Sequence, residues 1–197
     1  MATRRRRGFT KVKAEDIALE MRGELGLGLD AALDPLRLAE RLLLPVLTLH
    51  ELTDVDPKVH RYFTAGAGRS LFSAATIHLG LPARRGIVVN PAHAATRKVN
   101  SVCHEIGHVL LEHKPEAPLS FDHGRSWNGD QEKQADYLAG ALLIPRDAAH
   151  EAARLGLSDG EVAERFGVST ALAKMRMNKT GARLREQRRR RMLGFGG

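Results

Sequence analysis

Two histidines with a glutamate beside the first are the residues whose types and spacing best suit chemistry. The string is His104-Glu105-Ile106-Gly107-His108. On a helix, imidazoles four residues apart project from one face and can bind the same zinc ion, and Glu105 can reach a water molecule there. Zinc lowers the pKa of such a water toward neutrality, and the carboxylate takes its proton as the water attacks a carbonyl. The pattern indicates a hydrolase; a pair of ordinary surface histidines is the alternative.

An amphipathic helix is predicted to carry this motif, from Ala94 to about Leu111. At about 100° per residue its apolar side chains fall on one stripe, and the two histidines point almost directly opposite. The stripe comprises Val102, Ile106, Val109 and Leu110. The histidines are therefore expected to face away from the core. Cys103 lies about 100° round the helix from His104, so we expect a small buried residue there and not a metal ligand.

A catalytic zinc site needs a third protein ligand and an open position. The histidine-rich pattern of some zinc peptidases is excluded, because Leu111 and Lys114 stand where it requires glycine and histidine. A second helix, predicted from about Gln131 to Leu143, offers Glu132 and Asp136 one turn apart on one face. We expect Glu132 to be the third ligand and Asp136 to orient a metal-binding histidine through its distal nitrogen. Two solvated acids on an amphipathic helix are the alternative.

A developing oxyanion needs a further polar group, and several residues near the presumed cleft qualify. His123 lies within the turn-rich stretch 114–130, which joins the two motif-bearing helices and is a candidate lid. The other candidates are His113, Tyr137 and Tyr62. Their spacing singles out none of them, so the choice stays open.

Two helices and two strands are predicted before the motif. Residues 14–22 and 35–44 suit helices, to judge by apolar spacing and the caps and prolines that bound them. Residues 71–79 and 86–90 are rich in apolar and β-branched side chains and are bounded by turn-forming residues. These two segments are expected to be strands of a small sheet.

The composition narrows the class of protein. The chain has 197 residues, 43% hydrophobic and 27% charged, which fits one globular domain or one domain with a small appendage. A single cysteine excludes an internal disulfide framework and favours a cytoplasmic location. No apolar run reaches the roughly eighteen residues that a membrane-spanning helix needs, so no membrane association is expected.

The positive charge lies at the two ends of the chain. The formal net charge is +8, but residues 1–13 alone carry six cations, and residues 179–197 carry seven against Glu186. The segment between them is therefore acidic. We expect both ends to be disordered basic tails. They can contact nucleic acid nonspecifically through electrostatics, and solubilising ends without a specific partner are the alternative.

The segment from Ser158 has the pattern of a helix-turn-helix. One helix is predicted over 159–166, Gly167 at the turn, and a second helix over 170–177 with Ser169 as its cap. A DNA-binding interpretation would direct three polar side chains toward phosphates or bases. These are Thr170, Lys174 and Lys179. The alternative is a helical hairpin that packs on the rest of the protein or helps to hold a protein substrate.

Several segments in one order resemble the ImmA/IrrE family of zinc metallopeptidases, far more specifically than the five-residue motif does. The segments are Phe72–Ile77, Ile87–Asn90, Arg97 leading into His104–Leu111, and Glu132–Pro145. The resemblance extends from about residue 14 to 182. Departures are modest: Leu138 replaces a usual aromatic, and Gln134 replaces a frequent acid, which leaves Glu132 as the ligand candidate in the second helix.

The resemblance implies an α+β fold of the gluzincin kind, in which a small twisted β-sheet packs on the metal-bearing helices. It also implies that an extended substrate segment lies against an edge strand, where main-chain hydrogen bonds hold it across the zinc. The candidate strand consists of Ile87, Val88, Val89 and Asn90. The expected division of the chain is a basic disordered tail (1–13), a zinc peptidase domain (14–150), a helix-turn-helix-like segment (151–182) and a second basic tail (183–197).

Two functional hypotheses follow, from different classes. The resemblance implies a cytoplasmic zinc endopeptidase that cleaves a helix-turn-helix transcriptional repressor and so derepresses stress or mobile-element genes. Its ligands would be His104, His108 and Glu132, with Glu105 as the base. The second hypothesis is a non-catalytic DNA-binding or sensor protein with a structural or vestigial metal site, which the basic tails and the segment from Ser158 favour.

Overall fold

The computed structural model describes residues 9–52, 56–65, 67–79, 85–113 and 129–194, and these residues form nine α-helices and three β-strands. The helices are α1 (Lys11–Glu24), α2 (Pro35–Arg41), α3 (Pro57–Ala65), α4 (Ala95–Leu110), α5 (Gly129–Leu143), α6 (Arg146–Arg154), α7 (Asp159–Phe166), α8 (Thr170–Lys179) and α9 (Ala182–Met192). The strands are β1 (Val46–Thr48), β2 (Ala74–His78) and β3 (Arg85–Val89).

The mixture of a small sheet and a majority of helices confirms the α+β class. The two motif-bearing helices form within two residues of their expected ends, α4 on 95–110 and α5 on 129–143. Helix α2 ends earlier than predicted, at Arg41, because Leu43 adopts a positive φ of 56° and the Leu44 amide donates to the Ala39 carbonyl. Helix α3 and strand β1 were not predicted. Of the candidate lid, 114–130, the last two residues belong to α5, and 114–128 lie outside the described residues.

The sheet has the order β1-β3-β2, with β1 parallel and β2 antiparallel to β3. Val88 pairs with Leu47 on one side and with Ala75 on the other, so β3 is the central strand. The prediction that Ile87, Val88, Val89 and Asn90 form the substrate-binding edge is therefore wrong, because both hydrogen-bonding sides of β3 are already paired. Strand β2 is the edge that lies beside helix α4.

Asn90 has a structural task at the end of β3. Its side chain is fully buried, and its amide nitrogen donates to the carbonyl oxygens of Phe63, at 2.8 Å, and Phe72, at 3.0 Å. Its side-chain oxygen accepts from the Ala92 amide at 3.0 Å. Asn90 thus joins α3 to the segment before β2 and satisfies buried backbone groups that would otherwise lack partners.

Helices α4 and α5 pack closely enough to bring their backbones into contact. A Cβ atom at Gly107 would lie 3.1 Å from the Ala135 carbonyl oxygen and 3.3 Å from the Ala135 Cα. Ile106 on α4 and Leu138 on α5 are completely buried at the same interface region of the core. The absence of a side chain at Gly107 therefore sets the separation of the two helices that carry the candidate ligands.

The C-terminal helices share this core. Arg176, on α8, is buried and donates from Nε to the Ile144 carbonyl at 2.7 Å and from its guanidinium to Glu15 on α1. The helix-turn-helix pattern itself forms as expected, with Gly167 at φ 64° between α7 and α8. These contacts favour a helical hairpin that packs on the rest of the protein over a separate DNA-binding unit. The boundary expected after residue 150 falls inside α6, and the division into domains stays a prediction.

The expectation of disordered tails is wrong where the structure describes them. Helix α1 begins at Lys11, capped by Thr10, whose hydroxyl accepts from the Lys13 amide at 3.2 Å. At the other end, residues 182–192 form helix α9 in place of a tail. Arginine has a high helix propensity, and Glu186 pairs with two arginines one turn later, which stabilises the helix.

No helix in the described ranges combines the length and the apolar character needed to cross a bilayer.

The close contact of α4 and α5 can be tested by adding one methyl group. Gly107→Ala should lower the free energy of unfolding by about 1–3 kcal/mol, because the new Cβ meets backbone atoms that have little freedom to move. Gly23→Ala is the matched control, since a Cβ there has no neighbour within 4 Å. It should raise stability by about 0.5–1 kcal/mol through helix propensity. Urea denaturation measures both; equal effects would contradict the packing argument.

Candidate metal centre

The two histidines of the motif project together from the outer side of helix α4. Val102 and Ile106 on the opposite side are buried in the core, which fixes the rotation of the helix. The Nε2 atoms of His104 and His108 lie 3.0 Å apart, with ring centroids separated by 4.7 Å. Both imidazoles therefore direct the same nitrogen at one point in front of the helix.

Glu132 approaches that point from helix α5. Its Oε2 lies 3.2 Å from His104 Nε2 and its Oε1 lies 3.3 Å from His108 Nε2. One ligand atom from each of these three residues lies within 4.8 Å of the others, so the group can hold a metal ion. Two imidazole nitrogens and one carboxylate oxygen are donors that suit zinc. These three ligands were predicted from the sequence, and the structure brings all three residues together.

Asp136 lies behind His104, one turn after Glu132 on α5. Its Oδ1 is 2.9 Å from His104 Nδ1, the nitrogen turned away from the candidate site, as the sequence analysis expected. Burial opposes the charged imidazole, but the hydrogen bond to Asp136 and the charges of Glu105, Asp136 and Glu132 raise the pKa of His104. The same hydrogen bond lowers the pKa of Asp136. A carboxylate in this position fixes the tautomer that leaves Nε2 free.

Glu105 is held by strand β2. Its Oε2 accepts two hydrogen bonds from Thr76, one from the backbone amide at 2.9 Å and one from the hydroxyl at 2.7 Å. Glu105 is also close enough to the cluster for its charge to raise the pKa of His104 and of Glu132. Sequence reasoning missed Thr76, because the contact arises from the crossing of β2 over α4 and leaves no local signal.

His113 packs against His108 at the end of α4. The two Nδ1 atoms lie 3.0 Å apart, and His113 Nε2 lies 3.2 Å from the Gln134 Oε1 on α5. Burial, together with the imidazoles of His104 and His113, lowers the pKa of His108 to about 4. His108 is therefore neutral near pH 7, as a metal ligand must be. Gln134 is a second contact that the sequence analysis did not assign.

The structure contradicts one candidate for oxyanion stabilisation and leaves another untested. Tyr137 faces the core side of α5, where its hydroxyl donates to Glu15 at 2.8 Å and its ring packs against Arg176. A side chain on that side of the helix does not reach the cluster of His104 and Glu132, so the assignment of Tyr137 was wrong. His123 lies outside the described residues.

Cys103 is fully buried, in agreement with the expectation that it does not bind the metal. Burial is the main reason why the pKa of its thiol is raised. The neutral thiol behaves here as a small apolar side chain in the core behind His104.

The pKa of His104 predicts how metal binding depends on pH. Because that pKa is raised above the ordinary value of about 6.5, protons should compete with the metal from a higher pH than an unperturbed histidine allows. Affinity for Zn²⁺ should fall about tenfold per pH unit below the His104 pKa. Chelator competition across about pH 5 to 8 measures this. Asp136→Asn should move the onset to lower pH, whereas Asp147→Asn on α6 should not. A constant affinity would exclude His104 as a ligand.

Comparison with models of protein families identifies the family of this chain. The model of the peptidase M78 family, described as an IrrE N-terminal-like domain, matches residues 46–178. This range covers the three strands, both helices of the metal cluster and the pair α7 and α8. No curated protein matches the chain. The match confirms the resemblance inferred from the sequence and supports a metallopeptidase-like role: the chain belongs to the peptidase M78 family, with an IrrE N-terminal-like domain.

Proposed function

We propose that this protein is a zinc-dependent endopeptidase. The observation that carries the proposal is the convergence of ligand atoms from His104, His108 and Glu132 within 4.8 Å of one another. A second glutamate, Glu105, lies next to His104 on α4. Zinc, when bound, supplies Lewis acidity that polarises a carbonyl and makes water acidic near neutral pH. Three protein ligands leave a fourth position open, which distinguishes a catalytic site from a closed structural one.

Glu105 would act as the general base. Both hydrogen bonds from Thr76 go to Oε2, so Oε1 lies outside that pair of bonds and would accept the proton of the attacking water. Glu105 would then deliver this proton to the leaving amine. Thr76 holds Oε2 with two donors, which keeps that oxygen at the edge of β2 and leaves Oε1 for the water.

The substrate would lie as an extended segment along β2. The Thr76 amide points toward Glu105 and not toward β3, so this side of β2 faces the candidate site. Backbone groups two residues away on a strand share that direction, which applies to Ala74 and His78. Main-chain pairing along this edge would place a peptide carbonyl across the metal with little demand on its side chains.

The substrate class in this proposal is a helix-turn-helix transcriptional repressor. The support is the resemblance to ImmA/IrrE peptidases, which implies derepression of stress or mobile-element genes in the cytoplasm. A substrate that must pair with β2 has to present an extended or locally unfolded segment, so the scissile bond is expected in a loop or hinge of the repressor.

Glu105→Gln is the direct test. The variant should bind about one zinc per chain and unfold like the parent, yet lose cleavage by about 10²–10⁴-fold, because only proton transfer is removed. Glu164→Gln, at an exposed position of helix α7, is the control for charge loss. The measurement is zinc-dependent cleavage of the repressor encoded beside this gene, stopped by chelator. Cleavage by the Glu105→Gln variant at the rate of the parent would exclude Glu105 as the base. Cleavage of other extended peptides, but not of the repressor, would exclude the proposed substrate class.

A second candidate function is contact with nucleic acid, which the composition of α9 favours. This helix carries six arginines against one glutamate, and all six are exposed. Glu186 binds Arg189 and Arg190, and Asp159 binds Arg183, so part of the charge is already compensated. The proposal is therefore a nonspecific, salt-dependent interaction with nucleic acid in addition to peptidase activity. The alternative is a DNA-binding or sensor protein without catalytic activity.

Salt dependence tests this candidate. Replacing Arg188 and Arg191 by Gln should weaken duplex DNA binding equally for all sequences and reduce the slope of log K against log salt by about 0.9 per lost phosphate contact. The control replaces the exposed Arg37 and Lys58 by Gln. Fluorescence anisotropy at several salt concentrations measures both. An identical change in the two double variants would show a net-charge effect and no dedicated surface on α9.

A further inference from the structure

Behind the metal cluster, a chain of hydrogen-bonding groups leads away from His108. His108 Nδ1 lies 3.0 Å from His113 Nδ1, and His113 Nε2 lies 3.2 Å from Gln134 Oε1. His113 is only 7% exposed, so water has little access to these bonds. These hydrogen bonds join the end of α4 to α5, on the side of His108 that faces away from Glu132.

We infer that His113 is a positioning residue for the metal-binding tautomer of His108 and that Gln134 sets the direction of the hydrogen bonds. The inference rests on the proposed metallopeptidase function. His113 was one of several candidates for oxyanion stabilisation, but it contacts Nδ1 of His108 and not the Nε2 side where the ligand atoms meet.

The backbone brings His113 back to His108. After Leu110 the chain turns through Glu112, which has a positive φ of 54°, and the His113 amide donates to the His108 carbonyl at 2.9 Å. The Glu112 amide donates to Val109 at 3.0 Å, which completes a Schellman turn. Glycine is the usual residue at this left-handed position, so a glutamate there indicates that surrounding contacts hold the turn.

The direction of the hydrogen bonds follows from the acceptor at the far end. In the proposed arrangement the Gln134 Oε1 accepts from His113 Nε2, and His113 Nδ1 is the acceptor for His108. His108 must then carry its proton on Nδ1 to donate to His113, which leaves its Nε2 with a lone pair. That nitrogen is the one directed at Glu132 and His104. A hydrogen-bond donor at position 134 would reverse the direction of both hydrogen bonds.

The two histidine ligands are thus oriented by different chemistry. His104 has a carboxylate partner, Asp136, whereas His108 has a second imidazole, His113, which is itself held by the Gln134 amide. Partners of this kind commonly change metal affinity by about 10–100-fold when they are removed. The inference therefore predicts a measurable effect for residues that do not touch the metal or the substrate.

Four variants of the full-length protein test the inference. His113→Leu should weaken Zn²⁺ binding by about 10–100-fold in chelator competition, and His113→Asn should restore part of it, because its side-chain oxygen can accept from His108. Gln134→Glu keeps an acceptor and should bind zinc at least as well as the parent. Gln134→Met removes the acceptor and should weaken binding. His150→Leu, a histidine that contacts Thr180 and Arg185 instead, is the control and should leave affinity unchanged.

A second readout needs neither metal nor activity. Imidazole ¹⁵N–¹H correlation spectra of the metal-free protein should show the His108 proton on Nδ1 in the parent and in Gln134→Glu, and a mixture of tautomers in His113→Leu and Gln134→Met. Parental affinity and parental tautomer in both of the last two variants would overturn the inference without affecting the proposed function. Failure of the parent to cleave any protein would overturn the function, and the spectra would still decide the role of His113. If His113→Leu does not fold, the two Gln134 variants decide it.

Discussion

The contact between the backbones of α4 and α5 is the constraint on which the candidate site depends. Helices that pack through ordinary side chains lie about 8–10 Å apart. At Gly107 a Cβ would already touch the Ala135 backbone, so these helices approach near the lower limit. A glutamate has a short reach, and Glu132 meets His104 and His108 only because the axes are this close. The same approach lets Asp136 reach the outer nitrogen of His104 and lets Gln134 reach His113, which contacts the outer nitrogen of His108.

Buried charges hold the other side of α5. Glu15 accepts from the Tyr137 hydroxyl, from the Arg146 amide and from the Arg176 guanidinium, and so joins α1, α5, α6 and α8. Removing one partner of a buried ion pair generally costs about 3–5 kcal/mol, because the other charge stays without compensation. Arg22 acts similarly, with its guanidinium on the carbonyls of Leu142 and Ala31. These contacts fix α5 against α1 and α8 and make the C-terminal helices part of the support for the site.

The ligand set was predictable because the spacing of these residues follows the period of the α-helix. Four-residue spacing places His104 and His108 on one face, and the same rule pairs Glu132 with Asp136. The order of strands is not a local property, so Val88 in the centre of the sheet could not be distinguished from an edge residue. The run Ile87, Val88 and Val89 is apolar without alternation, which is typical of a strand covered on both faces, and this was the available signal.

Other differences arise where tertiary contacts override local pattern. The arginine-rich composition at 182–192 suggested disorder, yet Glu186 and the packing of α9 on α6 give it helical structure. Tyr137 was one of several candidates near the presumed cleft, and it directly follows Asp136 in the sequence. On a helix, however, adjacent residues point about 100° apart, and Tyr137 turns to Glu15. His113 follows the last turn of α4, where a left-handed residue reverses the chain, and periodicity carries no information beyond that point.

The different partners of the two histidines have a consequence for the chemistry of the cluster. The Asp136 carboxylate stabilises a positive charge on His104, so it makes that ligand more basic and a better donor to a metal, at the expense of competition from protons. A second carboxylate behind His108 would add negative charge to a cluster that already holds Glu105 and Glu132, and would raise the pKa of Glu132 further. The His113 imidazole and the Gln134 amide orient His108 without that added carboxylate. The cluster can therefore hold both histidine ligands in place with one carboxylate, Asp136, behind them.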